Sequence, residues 1–189
     1  MFVELLILFF TIGTSMPDDN QKLLDAYRQA QQMDSQQVDL ENNQRGTEED
    51  DFLNVIGQIE SSGGKNFDHE MIQGGMHKGH RATGTYGLMP NTITETLNRM
   101  RMSGQITPEL EGLSSLGPIE MKQAIETNPE LEKLIARHMA RQVLDRQGND
   151  EKAAYSWFQG HNLSPEQVEA RDYGSHDYVN KFRKYKGDK

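Results

Sequence analysis

The chain has no cysteine among its 189 residues. That excludes a disulfide framework and any chemistry carried by a thiolate, and leaves the compartment open. It also lacks a long hydrophobic run: Leu5 to Ile12 is apolar but far short of the roughly 20 residues that span a bilayer. Positive charge is not in surplus. The net charge is -9, and residues 18 to 51 alone hold ten acids against three bases. Residues 52 to 189 are close to neutral, with 18 acids and 17 bases. Without a basic stripe, nucleic acid is not an expected partner. Alternating strand patterns are missing too, apart from a short hairpin expected around Thr83 to Leu88. What remains is a mainly α chain, long enough for one domain with a sizeable core and a tail.

The tail has three parts. Residues 1 to 15 carry the apolar run, which fits two roles. One is the core of an export signal, with Gly13-Thr14-Ser15 before a cut at Met16; the other is a plug that docks on a partner protein. No Lys or Arg precedes the run, and Glu4 stands in front of it, which counts against export. Residues 16 to 48 read as a polar helix over Asp18 to Met33, followed by an acidic linker rich in Gln, Asn, Asp and Glu. Residues 49 to 189 form the domain. Helices are expected over Asp51 to Glu60, and from Pro90 in a first turn to Met102. More follow over Gly117 to Thr127, with Ile119, Met121 and Ile125 as its apolar positions, and from Asn128 to Asp145. The inward face of the latter is read as Leu131, Leu134, Ile135, His138 and Val143. Asp150 to Phe158, a short helix toward Arg171 and a basic helix over Tyr178 to Tyr185 complete the chain.

One segment stands out chemically. Ile56-Gly57-Gln58-Ile59-Glu60-Ser61-Ser62-Gly63-Gly64 ends an apolar helical run on a carboxylate, then turns through Ser and Gly. A general acid working near neutral pH must keep its proton, which requires a raised pKa and a partly apolar setting. Ile56 and Ile59 can provide that setting; the commonest fate of a helix-end Glu is simple exposure. Further on, Gly84-Thr85-Tyr86-Gly87-Leu88-Met89-Pro90-Asn91-Thr92 is a turn whose glycines let backbone approach a ligand closely.

Glu60-Ser61 followed by Gly-Thr-Tyr-Gly-Leu-Met-Pro-x-Thr resembles the soluble lytic transglycosylase and goose-type lysozyme superfamily. Two later blocks fit in order: Leu131 to Leu144 resembles that family's central helix, and Ala153-Ala154-Tyr155-Ser156-Trp157-Phe158-Gln159-Gly160 resembles its Ala-Ala-Tyr-Asn-Ala-Gly block. The resemblance covers about residues 50 to 185. It implies a lysozyme-like fold and cleavage of the β-1,4 bond between N-acetylmuramic acid and N-acetylglucosamine in peptidoglycan. It further implies Glu60 as the catalytic acid, with Ser61, Gly84, Tyr86, Gly87, Met89, Tyr155 and Trp157 shaping or contacting the glycan cleft. The chain departs from the pattern at Pro90, where the family has Gln, and lacks the Asn of the later block.

A lytic transglycosylase needs one carboxyl group, whereas a hydrolytic muramidase usually adds a second to activate water. Asp68, Glu70, Asp172 and Asp177 are the available second acids, and none lies in a motif that marks it. His77 and His80, with His69 or Glu70, have no paired second motif and no Cys, so neither a metal nor any other cofactor is expected. The loop that carries them reads as one rim of the cleft, with Lys78, His80 or Arg81 meeting stem-peptide carboxylates. Two settings fit: a phage virion component acting in the host periplasm, anchored to a tail or internal protein by its N-terminal segment, or an exported bacterial periplasmic enzyme. A non-catalytic wall-binding part on the same fold is the rival from another class.

Overall fold

The computed structural model describes residues 43–66, 69, 81–160 and 162–187. The N-terminal apolar run, the polar helix, most of the acidic linker, Asp68, Glu70, His77, His80 and His161 lie outside the described residues. The chain divides after Arg45, and Gly46 onward forms one compact unit.

The described part is mainly helical. Helix α1 runs over 43–61, so residues 43–48, assigned to the linker from composition, are helical. Then come α2 (Pro90–Met102), α3 (Pro108–Leu113), α4 (Pro118–Thr127), α5 (Pro129–Gln147), α6 (Asp150–Gln159) and α7 (Pro165–Glu169). A 3-10 turn (Tyr173–Ser175) leads into α8 (Asp177–Gly187). Five of these helices open on proline in the first turn: Pro90, Pro108, Pro118, Pro129 and Pro165. Proline suits that position because its missing N–H would have no helical partner there and its φ is already set. Side-chain caps reinforce the same boundaries. Asn128, Asn149 and Ser164 each accept from backbone N–H groups of the helix they precede, Ser164 within a full capping box.

Helix α5 is the centre, packed against α2, α4 and α6. Its buried stripe is Glu132, Ile135, Ala136, Met139, Ala140, Val143 and Gln147, a run at three- and four-residue spacing. The apolar reading of its inward face therefore needs correction. Leu134 is exposed because it lies off the buried stripe, and the charged Glu132 lies on it, where it accepts the Tyr86 N–H. Ile119 of α4 likewise faces out, at 79% exposure. Phe52 of α1 sits between Trp157 of α6 and Phe182 of α8, at 6.0 and 5.6 Å between ring centroids. The expected hairpin is reduced to one antiparallel bridge, Thr83 to Leu88, which closes the turn over 84–87.

Three ion pairs fasten α1 to α5, with Lys133 3.6 Å from Asp50 as the longest. Arg137 donates to both oxygens of Asp50 at 2.9 and 2.5 Å, and Arg141 to both of Glu49 at 2.6 and 3.3 Å. Glu49 is buried while Arg141 is half exposed. Arg141→Ala strands a buried carboxylate and is expected to cost about 2 kcal/mol, the buried-pair figure reduced for the exposed partner. Urea unfolding checks it.

Candidate active site

Helix α1 ends where Glu60 meets the 84–87 turn and α8. Ile56 and Ile59 pack inward on α1, so Glu60 stands on the flank of the core, partly buried rather than free in solvent. Tyr178, buried on α8, donates its hydroxyl to Glu60 Oε1 at 2.6 Å. On the other side, a Cβ placed on Gly87 would lie 2.5 Å from Glu60 Oε2. Gly87 has φ +65°, so the position takes glycine on backbone grounds as well. The absent side chain is what lets the turn approach Oε2 this closely.

These surroundings set the protonation of Glu60. Burial pushes its carboxyl above the ordinary value; the Tyr178 hydrogen bond and the positive charges of His69 and Lys181 pull the other way and do not cancel it. Burial and the facing Glu60 charge also push the Tyr178 phenol well above its usual range, so it stays a donor. Tyr178→Phe removes a bond that favours the carboxylate. The Glu60 pKa is expected to climb further, readable by carboxyl-carbon NMR titration.

A second carboxyl lies under the same turn. Glu132 reaches from α5 to accept the Tyr86 backbone N–H at 2.9 Å, and Thr85 also bonds to it. Burial raises its pKa too, opposed by those bonds. Gly84, at φ +72°, lies directly against this carboxyl. His69 Nε2 lies 2.8 Å from the Gly84 carbonyl, and since a carbonyl only accepts, that nitrogen carries the proton. Thr83 and Leu88 exchange reciprocal N–H···O bonds, both 2.9 Å, and Thr83 donates to Glu126. The turn is thus pinned from beneath by α5, at its base by its own bridge, and from the side by His69.

The residues singled out from sequence fall into two groups. Glu60, Gly84, Tyr86 and Gly87 come together at the turn. Met89 caps α2 just beyond it and is partly exposed. The others serve the scaffold. Ser61 is buried; its hydroxyl donates to the Gly57 carbonyl and accepts from the Gly64 N–H, shaping the exit of α1. Trp157 is buried against Phe52 and donates Nε1–H to the Tyr86 carbonyl at 3.4 Å. Tyr155 is 4% exposed, its ring beside Tyr173 and His176. Of the possible second acids, Asp172 accepts from Ser175, and Asp177 opens α8 in the open.

Sequence reasoning missed Tyr178 and Glu132. The signal for Glu132 was present: an acid inside the 135, 136, 139, 140, 143 stripe is either paired or misplaced. Tyr178 carried none, since its partner is 118 positions away. Among the described residues, no cluster of three His, Asp or Glu could hold a metal ion, and no helix is long and apolar enough to cross a membrane. The site is that of a mainly helical protein with two carboxyls of raised pKa, Glu60 beside a glycine turn and Glu132 beneath it. No protein family matches the chain, and no match is found among curated proteins or solved structures.

Proposed function

We propose that this chain is a peptidoglycan lytic transglycosylase of lysozyme-like fold, cutting the bond between N-acetylmuramic acid and N-acetylglucosamine. The observation that carries the reading is Glu60: a carboxyl whose pKa is raised by burial, one oxygen bonded to Tyr178 and the other approached closely by the Gly87 backbone. The protonated carboxyl gives its proton to the glycosidic oxygen as the C1–O bond breaks. The carboxylate so formed takes the proton of the muramyl C6 hydroxyl, whose oxygen closes onto C1. The products are a 1,6-anhydro-muramyl end and a free 4-hydroxyl, and Glu60 is again protonated.

Glu132 supports transglycosylation over hydrolysis. It is the nearest thing to a second acid at the turn, and its oxygen is already engaged by Tyr86, so it is poorly placed to activate water. The experiment is mass spectrometry of fragments released from purified peptidoglycan by the full chain. Anhydro-muramyl ends support the reading; reducing ends make the protein a muramidase; no fragments make it a wall-binding part.

The setting we favour is a phage virion protein that opens the host wall from the periplasmic side. The long loop between Ser61 and Thr83 and the departures from the family pattern, Pro90 and the missing Asn of the later block, motivate that setting over an exported bacterial enzyme. Peptide mapping of purified virions should then recover residues 1 to 15 intact, and a mature chain free in the periplasm without them would sink this part.

A further inference from the structure

The underside of the 84–87 turn is lined with donors. The N–H groups of Thr85 and Tyr86 and the Thr85 hydroxyl all bond to the carboxyl of Glu132, the Tyr86 bond at 2.9 Å. Consecutive backbone N–H groups aimed at one point make an anion cradle, and here a side chain of the same protein fills it. The fit is close: Gly84 has no room for a Cβ over this carboxyl, and Glu132 is buried. The far end of the turn is a wall of the candidate site. There the Gly87 backbone lies against Glu60 Oε2, the oxygen that Tyr178 does not hold. Glu132 and Glu60 thus meet the two ends of one short turn. The charges acting on Glu60 are those of His69 and Lys181, so Glu132 reaches it through the backbone rather than through its field.

We propose that Glu132 is the positioning residue of this site: as a carboxylate it fills the cradle and so holds Gly87 in place beside Glu60. Its consequence for catalysis rests on the transglycosylase reading. The hydrogen bonds divide the labour between the two acids. Glu132 accepts from three donors, each of which favours the ionised form, whereas Glu60 accepts from Tyr178. A protonated Glu132 turns an O–H toward a surface of donors and loses at least one bond, which frees the turn. Burial raises both pKa values, and the difference in bonding makes Glu132 the first to ionise as pH rises. The site therefore works in a window where Glu132 is ionised and Glu60 still carries its proton. The other groups around Glu132 are His69, whose positive charge also favours the carboxylate, and the Tyr86 phenol. Asp50 of α1 and Glu130 and Arg137 of α5 act on that phenol, while Glu126 of α4, paired with Lys122, accepts from Thr83.

The test measures fragment release from purified peptidoglycan by the full-length protein across pH, at saturating and at limiting substrate. Amide NMR spectra follow the Thr85 and Tyr86 N–H groups over the same range. In the wild type the activity profile is a bell, and both amide signals move with its acid limb. Glu132→Gln keeps the shape but offers an N–H where a carboxylate oxygen accepted. It is expected to lower kcat roughly tenfold, to change KM by less than about twofold, and to abolish the acid limb. Thr85→Val removes one donor, so Glu132 ionises later and the acid limb moves to higher pH. Glu130→Gln, exposed on the same helix, leaves kcat and the acid limb unchanged. Unchanged kcat and acid limb in both Glu132→Gln and Thr85→Val overturn the role, and so does a loss confined to KM. Should Glu132→Gln not fold, Thr85→Val decides alone through the position of the limb. If the wild type releases no fragments while both amides titrate and Glu132→Gln abolishes that titration, the anchored turn stands and the transglycosylase reading falls. Amides that do not titrate alongside Glu60-dependent anhydro products defeat the positioning role and leave the reading intact.

Discussion

Glu60→Gln is expected to remove fragment release from peptidoglycan, by on the order of 10³-fold or more, and to make the protein more stable at neutral pH. The first half follows from the mechanism. The amide has no proton to give to the leaving oxygen, and cannot take the C6 hydroxyl proton afterwards. The second half follows from the setting of the carboxyl. Burial holds the native pKa above the usual 4.5, so between those two values the folded chain keeps a proton that the unfolded chain has lost. Stability therefore falls as pH rises from about 4.5 through the native pKa, and the deficit is complete above it. Gln escapes this penalty and still accepts the Tyr178 hydroxyl through its carbonyl oxygen. The gain expected at pH 7 is on the order of 1 kcal/mol, or about 3 °C in Tm, and it should vanish below about pH 4. Thermal melts across pH check it. A variant that melts no higher than wild type at neutral pH would mean that Glu60 is not strained by its surroundings, and the case for a retained proton goes with it. The coupling matters because an ordinary surface Glu shows neither effect, whereas a catalytic acid kept out of water shows both.

Legibility from sequence depended on how local each determinant was. The helix starts were readable because proline and a capping side chain act within one turn: Pro90, Pro129 and Asn149 each sit where the helix begins. Glu60 was legible for the same reason, as its apolar flank and the glycine turn both lie near it in sequence. The residues that complete the site were not local. Tyr178 and Glu132 reach the turn from helices whose own patterns describe only packing. Tyr155 and Trp157 were placed at the cleft by the family resemblance, yet aromatic residues also fill cores. Only the rotation of α6 decides that Trp157 turns toward Phe52 while Phe158 turns toward solvent. Likewise a leucine at 134 is apolar in any scale, and what exposes it is the rotation of α5, which turns the 132, 135, 136, 139, 140, 143 stripe inward.

Gly84→Ala is expected to be the most destabilising single methyl that this domain can receive at the site, costing about 4 kcal/mol. The backbone there has φ +72°, which for an L residue costs about 1 kcal/mol or more. The new Cβ would stand 2.6 Å from Glu132 Oε2 and closer still to Oε1, so the carboxyl must move. It cannot move freely, because it is 2% exposed and holds the Tyr86 N–H. Displacing it leaves a buried donor unpaired, worth about 1–3 kcal/mol. Against a total stability of about 5–15 kcal/mol this is a large fraction, and urea unfolding reads it directly. Gly87→Ala differs in kind. Its Cβ meets Glu60, which is only partly buried where Glu132 is fully so, and displacing that carboxyl should collapse activity with a smaller loss of stability. A double-mutant cycle separates strain from contact. Glu132→Ala deletes the atoms that the new methyl strikes, so Gly84→Ala should cost about 1–2 kcal/mol in that background, leaving only the backbone term. If the two changes are simply additive, the carboxyl was never the obstacle. The turn would then owe its shape to its own bridge and to His69 rather than to Glu132 beneath it.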